Sequence, residues 1–219
     1  MNVQLLAHTP APEQLVAASA KLCYSAASIA DLAAIEADKA AEFIDKLPEA
    51  HQSPFEHVSF TFGIEGVSRA MLAQITRHRI ASFSVQSQRY VEMGHFGYVI
   101  PQTIAENDEA LDEYQHLMCL VRIVYNKLIE LGIPAEDARF VLPNACETRM
   151  IVTMNARELL HFFSLRCCKR AQWEIRAVAD EMLRLCKEVA PTLFAKAGAG
   201  CVRGHCPEGK MGCKHGDAR

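Results

Sequence analysis

From Val58 to Ile64 apolar and polar side chains alternate, with Val58, Phe60, Phe62 and Ile64 on one face and Ser59 and Thr61 on the other. Period two is the side-chain period of a strand, and a single apolar face means that the strand is half buried. The expected strand spans Phe55 to Ile64. Farther on, Leu111, Tyr114, Leu117, Val121, Val124, Leu128 and Leu131 recur at intervals of three and four. That spacing is one face of an amphipathic helix, expected over Ile104 to Leu131. The chain therefore mixes strands with helices.

The same reading extends to the flanks. Val3 to Ala7 and Cys146 to Met154 read as strands, and Tyr90 to Ile100 as an extended segment ended by Pro101. Helices are expected over Pro12 to Cys23, over Ser28 to Leu47 with Ser28 as N-cap, and over Val67 to Ile75. Others run from Pro134 to Phe140 and from an Asn155 cap to Arg166. Beyond Ala171, the residues Ile175, Val178, Met182, Leu185 and Val189 form a narrow seam suited to another helix or a second subunit. Residues 197–219 change character, becoming Gly-rich and polar, and cannot form a core alone. The expected organisation is one domain over residues 1–196 and a Gly/Cys-rich tail over 197–219.

With 219 residues, half of them hydrophobic, the chain can build one large core. A formal net charge of −3 argues against a general nucleic-acid binder. No segment reaches the ~18 apolar residues of a membrane span, and no basic leader is recognisable, so the expected compartment is the cytoplasm. The nine cysteines imply free thiols or a metal site in preference to a disulfide framework. The tail carries Cys201, Cys206 and Cys213 with His205 and His215, which are metal-type ligands without a CxxC pair. A reduced, metal-free tail is the expectation.

Against the acidic balance stands Arg77-His78-Arg79, which opens the run RHRIASFSVQSQRY. Between Gly66 and Val91 there is no Asp or Glu. Guanidinium groups without internal counter-ions call for an anion from outside, most simply a phosphate. Taken singly, each residue has a plainer reading. The cluster matches a solvated charged face, Ser87 a turn residue, and Arg166 a cation at a helix C-terminus.

Taken together, the residues carry more. Arg77-His78-Arg79, seven residues, then Ser87, continued by Arg89 and Tyr90, resembles the signature of the flavin-dependent thymidylate synthases. The segments HQSPFEHVSFTF from His51, ARFVLPNACETR from Ala138, and MNARELLHFFSLR from Met154 with the AQWEIR that follows, resemble further blocks of that family, in its order. The resemblance implies an α+β fold, a single domain of long helices on a small mixed or antiparallel sheet, assembled as a homotetramer with interfacial active sites. It implies an enzyme that binds FAD, reduces it with NADPH, takes a carbon from 5,10-methylenetetrahydrofolate, and converts dUMP to dTMP.

Residue by residue, the resemblance assigns FAD to Ser53, Glu56, Arg77, His78, Arg79, Asn155, Arg157 and His161. It assigns dUMP to Gln74, Arg77, Ser87, Gln88, Arg89, Arg139 and Arg166. Among histidines outside the motif it favours His51 over His57. Arg166 is the expected catalytic residue, a fixed cation that favours the ionised N3/O2 form of uracil and makes C5 more nucleophilic. Two positions depart from the family pattern. Val85 stands where many relatives have Glu, leaving Ser84 or Gln86 to replace it, and Arg170 stands where many have His.

Thymidylate synthases of the other kind attack C6 of dUMP with a cysteine. Cys146 is the best-placed thiol for that, but is expected to be a small core or loop residue. Two rival readings remain at this point. One is a flavoprotein with the same pocket and no methylation. The other is a nucleic-acid module using the Arg-rich strip and the Cys/His tail.

Overall fold

The computed structural model describes residues 1–47, 51–204, 206, 207 and 209–213. The elements are β1 (Asn2–His8), α1 (Pro12–Leu22), α2 (Ile29–Ala33), α3 (Ala37–Asp45), β2 (Ser59–Ser68), α4 (Arg69–Ile75) and β3 (Ala81–Val85). They continue with α5 (Gln102–Ala105), α6 (Asp108–Glu130), α7 (Ala135–Ala138), β4 (Glu147–Asn155), α8 (Ala156–Arg166) and α9 (Trp173–Val189). The four strands form one antiparallel sheet in the order β1-β2-β4-β3. This is the α+β architecture expected.

The chain divides into two compact units. The first comprises residues 1–2, 64–77 and 84–151, and the second residues 3–63, 78–83 and 152–219. In the second unit the alternation of β2 does what its period requires. Val58, Phe60 and Phe62 are fully buried, while Ser59 and Thr61 are half-buried. Phe194 packs edge-on against Phe60 and Phe163, at 5.4 and 6.0 Å between ring centroids. Each such ring contributes about 1.5–3 kcal/mol by leaving water. The stripe Ile175, Val178, Ala179, Met182 and Cys186 of α9 is buried, and α9 packs on α8. Of the expected seam, Ile175, Val178 and Met182 are thus buried, whereas Leu185 and Val189 are half-buried. Local signals start these helices. Asn155 Oδ1 accepts from Glu158 N at 2.8 Å, and Gln172 Oε1 accepts from the amides of Glu174 and Ile175.

The first unit has its own core of Met93, Phe96, Met118, Tyr125, Ala138 and Cys146. The Tyr125 hydroxyl accepts from Met93 N at 3.1 Å, which fixes the loop after Tyr90.

Several expected boundaries move. Ser28 caps a helix, with a reciprocal bond between its amide and Asp31, but that helix ends at Ala33. Glu36 adopts an extended backbone and α3 begins anew, burying Ala40 and Ile44. Ile29, which the single-helix reading placed on the apolar side, is 68% exposed. Ser53–His57, with Pro54 inside it, is a tight 3-10 turn, so β2 starts at Ser59 and runs on to Ser68. Ser68 then caps α4, accepting from Met71 N. The long helix is broken at Asn107, whose side chain accepts from Ala110 N and starts α6. Tyr90 to Ile100 forms turns and one isolated bridge, Tyr98 to Cys146, in place of a continuous extended segment. Ala81–Val85, missed by the pattern reading, is strand β3.

Candidate active site

The expected site residues fall into a group in each unit. In the second unit, His78 precedes β3 and is only 5% exposed. Its Nδ1 lies 2.8 Å from Oε1 of Glu158, which is buried on the first turn of α8. About two turns along the same helix, Arg166 Nε donates to His78 Nε2 at 3.1 Å. Arginine has only hydrogens to give, so Nε2 is the acceptor and carries no proton. The ring proton must then sit on Nδ1, facing Glu158. His78 is thus a neutral imidazole of defined tautomer, with a carboxylate on one nitrogen and a guanidinium on the other. Burial pushes its pKa down, the Glu158 hydrogen bond opposes that, and the Arg166 charge adds to the fall. Phe162 packs edge-on against the ring at 4.9 Å, and His161 stands at 5.8 Å. The α8 spacing thus aims a cation through a buried, uncharged ring.

Arg77 closes the first unit's 64–77 segment and Arg79 lies in the second unit. Both are exposed, and neither guanidinium has a hydrogen-bond or ion-pair partner among the described residues. Arg157 is exposed and pairs with Glu56 of the 3-10 turn, in which Ser53 is also exposed. Asn155 is engaged as the α8 cap, and His161 is exposed. His51 Nδ1 meets the Tyr24 hydroxyl at 3.0 Å, while His57 is exposed.

In the first unit, Ser87 Oγ accepts from Arg89 N at 3.1 Å. Gln88 Nε2 donates to Cys146 Sγ at 3.5 Å. Arg89 pairs with Glu136 at 2.9 Å, and Arg139 Nε donates to the carbonyl of the same glutamate at 3.0 Å. Arg69 Nη2 donates to Gln86 O at 2.9 Å. Among the described residues no carboxylate pairs with Arg69 or Arg139. Gln74 is half-buried on α4. Among the described residues the three guanidinium groups of Arg69, Arg89 and Arg139 meet one paired carboxylate, that of Glu136.

A family model described as "Thymidylate synthase complementing protein" matches residues 4–192. Curated relatives named "Flavin-dependent thymidylate synthase" agree. That of Geobacter sulfurreducens is 54% identical, over 97% of this chain and 94% of its own length. The protein of Nitratidesulfovibrio vulgaris is 54% identical over 95% and 92%, and that of Clostridium tetani 47% over 97% and 93%. The chain belongs to the flavin-dependent thymidylate synthase family.

For a member of that family, Cys146 is informative by what it does not do. It is fully buried, and burial pushes its pKa up, against opposing contributions from Arg69 and Gln88. A thiol kept protonated is a poor nucleophile. Cys146→Ser retains an acceptor for Gln88, so dTMP formation is expected to stay within a few-fold of wild type in a turnover assay. A fall of about 10²-fold or more would reinstate the thiol as a participant.

The two departures from the family pattern have distinct settings. Val85 ends β3 half-buried, and Ser84 beside it is exposed. The Gln86 amide donates to Arg149 O, and its side chain lines a cavity of about 760 Å³ with Glu92, His95, Glu147 and Arg149. Arg170 donates to the Met211 carbonyl and so ties down part of the tail. Gly200 lies so close to Pro207 that a Cβ there would come within 2.8 Å of its ring. Among the described residues no three His, Cys, Asp or Glu converge on a metal position, and His205 and His215 lie outside those residues.

Glu158, Arg69 and Glu136 escaped the sequence reading. Glu158 looks like an acidic first-turn residue and Glu136 like another. Arg69 is a lone cation next to a cap. Only burial and pairing separate them from surface charges.

Proposed function

We propose that the protein converts dUMP to dTMP, with 5,10-methylenetetrahydrofolate as carbon donor, FAD as cofactor and NADPH as its reductant. The observation that carries this reading is the Glu158–His78–Arg166 chain, which presents a fixed cation held by a buried imidazole. Arg166 addresses the uracil and favours the charge that develops at N3/O2. A nucleotide phosphate suits the under-neutralised group of Ser87, Arg89 and Arg139, with Arg77, Gln74 and Gln88 completing recognition of dUMP.

The residues assigned to FAD fit it. Arg77 and Arg79 are exposed guanidinium groups without partners among the described residues, suited to a pyrophosphate at about 1.5–3 kcal/mol per charge-assisted bond. Arg157 with Glu56, Ser53, and the α8 start at Asn155 and His161 supply polar contacts, and His78 sets the position of Arg166 beside them. When bound, reduced flavin supplies the hydride.

Helix α6 supports a homotetramer. Leu117, Leu120, Ile123 and Val124 are 44–59% exposed on this one helix, and apolar surface of that kind marks an association face. Residues 1–196 carry the reaction, with 197–219 as an appendage, in a cytoplasmic enzyme. Among the described residues no helix is long and apolar enough to cross a membrane.

The test is tritium release from C5-labelled dUMP with NADPH and methylenetetrahydrofolate, with and without FAD. FAD-dependent release with dTMP formed is expected. Yellow, FAD-loaded protein that releases no tritium would overturn the methylation, leaving a flavoprotein of other activity.

A further inference from the structure

We propose that Arg69, at the first position of α4, is a positioning residue for the nucleotide phosphate and supplies part of the field that holds it. This rests on the dUMP reading above. Arg69 grips the segment that precedes Ser87. Its Nη2 donates to Gln86 O at 2.9 Å. Its own amide donates to Cys146 O at 3.0 Å, and Cys146 Sγ in turn accepts from Gln88 Nε2 at 3.5 Å. The peptide on one side of Ser87 and the side chain on the other are thus both referred to the start of α4. Ser87 is thereby held where its hydroxyl takes the Arg89 amide, at 3.1 Å.

The charge has its own consequence. Arg69 Nε is buried without a hydrogen-bond partner, and no carboxylate pairs with this guanidinium among the described residues. A partly desolvated cation without a counter-ion costs free energy in the empty protein. A structural arginine is ordinarily given a carboxylate. Here the neighbour is a second cation, Arg139, whose charge works in the same direction as burial to make Arg69 harder to keep protonated. Two under-neutralised guanidinium groups bordering one segment lower the potential energy of an anion placed there, and a dianionic phosphate gains most. The ligand completes the neutralisation that the protein leaves undone.

The discriminating comparison is dUMP against deoxyuridine, which has the same base and sugar and no phosphate. Arg69→Gln removes the charge and keeps a donor for Gln86 O. Its Kd for dUMP is expected to rise about tenfold, the equivalent of about 1.4 kcal/mol. The inhibition constant of deoxyuridine and kcat at saturating dUMP should stay within a few-fold. Where Arg69→Gln does not fold, Arg69→Lys keeps the charge on a single-point donor, and a smaller, dUMP-selective loss is expected. Parallel weakening of dUMP and deoxyuridine in a folded variant would mean a merely structural role, and unchanged dUMP affinity would remove the role altogether. Either result overturns the proposal while wild-type turnover leaves the dUMP reading intact.

Discussion

Arg166→Ala is expected to lower dTMP formation by about 10²–10³-fold or more, the usual cost of removing a preorganised charge from a developing anion, while the purified variant remains yellow. The two readouts separate because, although His78 is bonded to Arg166, FAD is also assigned to Arg77, Arg79, Arg157 and the Asn155 start of α8, which the substitution leaves in place. Arg166→Lys should be nearly as damaging. The guanidinium already commits Nε to His78 at 3.1 Å. A lysine ammonium offers one nitrogen on a flexible stem, so it cannot hold His78 and address a uracil edge in a fixed plane. The measurement is single-turnover dTMP formation at saturating dUMP, with the flavin spectrum as control. Near-normal turnover in Arg166→Ala would refute the assigned role. Loss of flavin together with turnover would instead place Arg166 among the cofactor contacts.

The parts of this picture legible in the sequence are those where one residue type has one physical outlet. Alternation at Val58–Ile64 has no use except a one-faced strand, and those residues are buried as read. Asn155 before an apolar helix is a cap, and it caps. The fold failed to show where the signal was short or shared. Ala81, Phe83 and Val85 alternate with the exposed Ser82 and Ser84 in β3, but five residues beside an arginine cluster are overshadowed by the charge. The apolar stripe of α6 was legible as a helix face, whereas its exposure at Leu117 and Val124 was not, since periodicity cannot tell a core from an association surface. In the site, Arg77 and Arg79 announced an anion because no Asp or Glu stands between Gly66 and Val91. Glu158 lies 80 residues from His78, and a carboxylate in a first helical turn looks the same whether it faces water or a buried imidazole. Arg69 presents the same difficulty, since only the fold shows that no carboxylate among the described residues pairs with it.

Glu158→Leu follows from the same geometry and tests its hidden member. A bond to a charged acceptor is worth about 1.5–3 kcal/mol, so its loss should cost turnover about tenfold to a hundredfold through Arg166, which is not itself altered. The mechanism is tautomeric. Without Glu158 only the Arg166 bond itself still favours the proton on His78 Nδ1, and the competing Nε2–H form, which points a hydrogen at the Arg166 Nε–H, becomes easier to populate. Glu158→Gln is the informative companion, because its amide oxygen can still accept from Nδ1, and it should retain much more activity than the leucine variant. Acid should imitate the loss. The groups facing His78 are Glu158, Arg166, His161 and Phe162, and burial sets its pKa below the ordinary 6.5. A depressed folded-state pKa means that the stability from the neutral ring is fully present above that ordinary value. It is lost as pH falls through the lower, folded one, where a proton on Nε2 expels Arg166. The checks are kcat against pH and the ¹⁵N shifts of the His78 ring. A folded, flavin-loaded Glu158→Leu with wild-type kcat and an unchanged Nδ1–H signature would show that Arg166 is positioned by something other than this buried pair.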